Sequence, residues 1–164
     1  MPLLMEKEIT TNRIILTNYE IFRALDDPIR GKIVQLLHKK QLNVEQITRR
    51  LKKFGYKKAV TTIRHHVEIL KDSGLIEIVK IEEARGAITK YYGSSTKLLD
   101  FTLPSDFDKN YSNLISKTSL KLNKLVSPIS KNFSKTRKIQ QINYNNFIIM
   151  EIINRAMTNL LEKK

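Results

Sequence analysis

Between Lys57 and Gly74 the apolar residues Val60, Ile63, Val67 and Leu70 recur at the spacing of one helical face. This predicts a helix over about 57–73 with that face on a core. Gly74 supplies a helix stop, and the β-rich run LIEIVKIE follows directly. Upstream, the same period sets Ile29, Ile33, Leu36 and Leu37 inward on a helix from Pro28 to about His38. Asp27 can cap it, and Pro28 suits its first position because a free amide there has no partner to lose. A third helix has Ile47, Leu51 and Phe54 as its buried edge and Asn43 with Gln46 as its cap. A short first helix, YEIFRAL, is expected behind a Thr17–Glu20 capping box. Strands over Leu75–Glu82 and Ala87–Tyr92 flank the turn EARG, where Gly86 is free to take positive φ.

After Ser94 the pattern changes. The stretch from Asp100 to Phe107 holds a proline and acidic residues and reads as a joint. Beyond it a helix carries Tyr111, Leu114, Ile115, Thr118, Leu122 and Leu125 on one side, and Ser127 with Pro128 should break it. From about Lys138 a last helix lays Ile142, Ile149, Met150, Ile153, Met157 and Leu160 on one face, a stripe on the order of 37 Å long. Its own core or a partner subunit must cover such a stripe, and its reach beyond a small domain favours the partner. Those six residues are the candidate dimer contacts. The fold class that follows is mainly α with a small β-hairpin wing, a winged helix-turn-helix domain followed by a long-helix C-terminal extension. The expected divisions are an unassigned lead segment at 1–16, the winged helix-turn-helix domain at 17–96 and a helical dimerisation extension at 105–164.

Charge sharpens this picture. The chain carries a formal +14, with +7 over residues 17–95, −2 over 96–108 and +8 over 109–150. Two basic regions therefore flank an acidic joint, a balance that attracts a polyanion such as double-stranded DNA. Between Lys39 and Arg64 nine Lys or Arg stand against one acid, Glu45, so the basic set coincides with the two helices that would meet DNA. The outer side of the central helix presents Lys58, Thr61, Thr62 and His65 without a carboxylate, a surface for phosphates and base edges. The candidate DNA contacts are Lys57, Lys58, Thr61, Thr62, Arg64 and His65, with Arg85 at the wing tip and Lys90 on its return strand. That helix would enter the major groove and the wing, 76–92, would touch backbone or minor groove, in a field weakened by Glu82 and Glu83.

Other chemistries are poorly served. Without cysteine there are neither disulfides nor thiolate metal sites. His65 and His66 are adjacent, so on a helix they point about 100° apart and do not easily share a metal. His66 is expected at the core rim, hydrogen-bonded to backbone. Asp26–Asp27 and Glu82–Glu83 read as a helix cap and a charged turn, and neither a Gly-rich phosphate loop nor a catalytic triad is visible. An enzyme is not expected, nor is a cofactor, and no effector site is legible. The first residues are too short a run for an export signal, and FIIMEII is far below the ~20 residues of a membrane span. A soluble, cytoplasmic protein with no membrane partner is expected. Two function classes stay open, a sequence-specific DNA-binding transcription regulator and a winged-helix protein-interaction module in a larger assembly.

Residues 22–37, FRALDDPIRGKIVQLL, and 62–76, TIRHHVEILKDSGLI, with YYGSST, resemble the arsenic-repressor (ArsR) family and its archaeal winged-helix relatives. The likeness spans residues 17–96. It implies a homodimeric regulator that binds an operator through the helix holding Thr61, Thr62, Arg64 and His65. Three departures matter. The family's metal-sensing cysteine pair is replaced by VEQIT, and no histidine follows His66 to serve its C-terminal metal site. The stretch from Leu51 to His66 is also a few residues longer than usual, which enlarges the turn.

Overall fold

The computed structural model describes residues 11, 14–131 and 139–162. Most of the lead segment (1–10, 12 and 13) and Lys138, where periodicity predicts the last helix to begin, lie outside the described residues. The elements are α1 Tyr19–Ala24, α2 Pro28–Leu37, α3 Val44–Lys53, α4 Val60–Asp72, β1 Glu77–Ala84, β2 Ala87–Gly93, α5 Phe107–Lys131 and α6 Ile139–Leu161. They divide into two compact units, one spanning Thr17–Phe101 and one built on α5 and α6.

The first unit is a winged helix-turn-helix. Ile33, Val34 and Leu37 of α2, Ile47 and Leu51 of α3, and Ile63, Val67 and Leu70 of α4 are fully buried against one another. Leu75, Ile76 and Tyr92 close that core from the hairpin's root. Each such side chain contributes about 1.5 to 3 kcal/mol by leaving water.

Local chemistry explains where the helices begin. Asp27 accepts from the Ile29 amide at 2.8 Å, with Pro28 first in the helix. Asn43 and Gln46 form a reciprocal capping box, 2.8 and 3.0 Å. The first helix differs from expectation. Its cap is Asn18, which accepts from the Ile21 amide at 2.8 Å, and the Thr17 hydroxyl donates to the Asn18 carbonyl instead. The helix starts one residue later, where asparagine caps as well as threonine. Phe54 also departs from its expected burial. It is the C-cap of α3 and 55% exposed, because the chain leaves the helix there, and the Lys32 ammonium lies 4.2 Å from its ring centre.

The wing is an antiparallel hairpin in which Ala84 pairs with Ala87 across Arg85 and Gly86, both at positive φ (51° and 75°). Positive φ at both central residues gives the turn whose twist matches that of the strands. Its root is stitched to the α2–α3 loop. Leu42 and Tyr92 exchange backbone hydrogen bonds at 3.0 and 2.8 Å, and the Ser94 amide donates to the Leu37 carbonyl at 3.1 Å. The buried Ser94 hydroxyl donates to the Leu75 carbonyl at 2.7 Å.

In the second unit no side chain of α5 or α6 is fully buried. Contrary to expectation α5 is not broken at Pro128, which lies in its last turn and forfeits its own amide bond, and the helix continues three residues further, to Lys131. Just before it, the Ser127 hydroxyl donates to the Asn123 carbonyl at 2.6 Å. In α6, about 35 Å long, Ile142, Met157 and Leu160 are exposed and Ile149, Met150 and Ile153 half-buried. Among the described residues, no helix is long and apolar enough to cross a membrane.

Gly93 marks the closest approach at the wing's root. A Cβ there would lie 3.0 Å from Val79 Cγ1 and 3.2 Å from the Lys40 carbonyl oxygen, which is backbone. Gly93→Ala should therefore destabilise the winged unit by about 1 to 3 kcal/mol, read as a lower midpoint in urea at unchanged slope.

Candidate nucleic-acid interface

Burial of Ile63, Val67 and Leu70 turns the opposite side of α4 to solvent, and Thr61, Thr62, Arg64 and His65 are all exposed there. The helix begins three residues later than periodicity predicts. Lys57 and Lys58 lie on the segment before it, exposed, beyond the Gly55 turn at φ +90°. Ala59 is the N-cap and makes no side-chain cap hydrogen bond. First-turn amides of α4 are thus left to solvent or to an anion, beside two lysines. Sequence reading passed over this feature, whose signal is an alanine where Ser, Thr, Asp or Asn would stand.

Arg64 is not a free cation. It lies 3.8 Å from Glu45 on the first turn of α3, with both side chains 56% exposed, so the pair adds at most about 1 kcal/mol to stability. The contact spans α3 and α4. Arg64 and Lys90 also line one cleft of about 150 Å³ with Asn43, Glu45 and Thr89, so α4 and the return strand of the wing meet there. Arg85 stands apart, at the hairpin tip. On α3, Arg49, Arg50, Lys52 and Lys53 are exposed.

The wing's acidic residues behave differently from one another. Glu82 is paired with Lys80 and accepts from the Tyr91 hydroxyl at 2.7 Å. Those two hydrogen bonds hold its carboxyl below the usual range. The Lys80 ammonium also sits 5.1 Å from the Tyr91 ring centre. One of the two glutamates that would weaken the wing's field is therefore compensated locally.

Residues 25–79 match the family model described as a helix-turn-helix domain. That span runs from the end of α1 through the helix-turn-helix to the start of the wing. No curated protein matches the chain. Among solved structures, it is similar to the solution structure of a homodimeric winged helix-turn-helix DNA-binding domain from Mycobacterium bovis, described as a possible ArsR-family transcriptional regulator. The two are 20% identical, the match covers 63% of this chain and 80% of that one, and the TM-score is 0.35.

The helix-turn-helix is braced from behind by a polar cluster. His66, 8% exposed, has Nδ1 3.3 Å from Arg30 Nη1 and Nε2 3.9 Å from Asp27 Oδ2. Its partner is thus a guanidinium and not the backbone expected from sequence. Arg30 also donates through Nε to the Ala24 carbonyl and through Nη2 to the Arg23 carbonyl at 3.1 Å, so α1, α2 and α4 are tied at one point. Because Arg30 can only donate, Nδ1 must accept and the ring is neutral. Among the described residues, no cluster of potential metal ligands occurs at this point or elsewhere.

Burial pushes the His66 pKa below its ordinary 6.5; Arg30, His65 and Lys58 add to this and Asp27 opposes it. The unfolded chain therefore binds the proton more tightly than the folded one. The resulting stability is present above about pH 6.5 and is lost as pH falls through the lower folded value. Thermal midpoints should drop between pH 7.5 and 5. His66→Asn, which retains an acceptor for Arg30, should flatten that drop, and an equally steep variant would assign the titration to another group.

Proposed function

We propose that this chain is a sequence-specific DNA-binding transcription regulator acting as a homodimer, with α4 in the major groove and the wing on backbone or minor groove. The observation that carries this reading is the outer face of α4. It offers hydroxyls, an imidazole and a guanidinium on a helix-turn-helix unit whose other face is consumed by the core. In this reading Thr61, Thr62, Arg64 and His65 contact base edges. Lys57, Lys58, Lys90 and Arg85 contact phosphates, and the uncapped start of α4 adds amide donors for one of them. Such a regulator works in the cytoplasm and is not an enzyme.

The extension, 105–164, supplies the dimer. Its apolar seam through Ile142, Ile149, Ile153, Met157 and Leu160 has no complete cover within its own unit. A second copy would bury it and place two recognition helices on half-sites about one helical turn apart.

Thr62→Ala or His65→Ala should relax sequence preference by about 1 to 3 kcal/mol per lost base contact, measured by competition among duplexes, with the fold intact. Indifference of the parent to any duplex would favour the protein-interaction module. Ile153→Asp with Met157→Asp places uncompensated charge in the seam. Sedimentation at micromolar concentration should then show monomers that bind a half-site weakly. A variant that stays dimeric would move the interface to the first helix or to α5.

A further inference from the structure

We propose that α5 is a second polyanion-binding element, a lysine stripe that follows the phosphate backbone of duplex DNA. At about 100° per residue, Lys109, Lys117, Lys121, Lys124 and Lys131 fall on one side of α5, and all five are exposed. The half-buried apolar residues Leu122, Val126 and Ile129 fall on the opposite side. Whatever covers that apolar side, the lysines face outward.

A solvated face is normally laced with acids that offset its cations. The protein does this elsewhere. Arg155 pairs with Glu151 at 2.7 Å on α6, Arg64 with Glu45, Lys80 with Glu82 and Lys71 with Glu68. On α5 it does not. No acid occurs from Lys109 to Met150, and among the described residues none of the five lysines has an ion pair. Lys117, Lys121 and Lys124 are like-charged neighbours at helical spacing, so their repulsion persists until an anion relieves it. A polyphosphate relieves several at once. From Lys109 to Lys131 the stripe runs about 33 Å, close to one turn of B-DNA at about 34 Å. A short link also joins α5 to the helix-turn-helix unit, so a duplex held by that unit is at high effective concentration for the stripe. This favours duplex DNA over an anionic membrane as the occupant.

The inference rests on duplex binding by the helix-turn-helix unit, and the test separates the two. Duplex affinity is measured from 50 to 200 mM salt for the full-length parent, a Lys117→Gln, Lys121→Gln, Lys124→Gln variant, and a Lys57→Gln, Lys58→Gln variant. Glutamine keeps helix propensity, and a triple arginine variant controls for folding by restoring the charge. The triple glutamine variant should lose about 0.9 in the slope of log affinity against log salt per phosphate contact removed, with sequence preference unchanged and the arginine variant at parent slope. An unchanged slope overturns the inference and leaves the proposed function standing. A shallower slope in the α5 variant, beside an unchanged one in the Lys57/Lys58 variant, supports the stripe and counts against the proposed recognition surface. A parent that binds no duplex overturns both. Binding of the parent to phosphatidylserine–phosphatidylcholine vesicles, lost in the triple glutamine variant while the duplex slope is unchanged, assigns the stripe to membranes and also overturns it.

Discussion

The constraint on which the winged unit depends is the joint burial of three short helices that could not fold alone. Isolated helices of ten to thirteen residues are marginal in water, so α2, α3 and α4 exist because Ile33, Leu37, Ile47, Leu51, Ile63, Val67 and Leu70 leave water together. Burial of one side of α4 exposes its other side. The outer face needs no separate device to present it: its direction follows from the core residues three and four positions away.

Two further ties make that presentation rigid. Arg30 joins the α1 carbonyls to His66 on α4, and the exchanged hydrogen bonds of Leu42 and Tyr92 bind the wing's root to the loop before α3. The cleft shared by Arg64 and Lys90 is a consequence, since one residue is fixed by the helix core and the other by the hairpin root. A neutral, buried His66 makes the first tie sensitive to acid.

The second unit obeys a different balance. Its helices are long enough to be regular but have apolar faces without full cover within the unit. That incompleteness is the physical reason to seek a second copy. The unrelieved repulsion along the other side of α5 is the reason to seek a polyanion.

Much of this was legible in the sequence. The order of helices, the caps at Asp27 and Asn43, the inward residues of α2 and α4, the Gly74 stop and the Arg85–Gly86 tip depend on neighbours a few positions away, which periodicity and capping chemistry read directly. Where two local solutions are nearly equal in energy, sequence chose less well. Asn18 caps α1 in place of Thr17, and α5 runs three residues past Pro128 before it ends. What only tertiary structure decided are the contacts between residues far apart in the chain: Arg30 on His66, Arg64 on Glu45, and the shared cleft of Arg64 and Lys90. These depend on packing angles and strand register, which the three-dimensional closure of the core sets and no local pattern encodes.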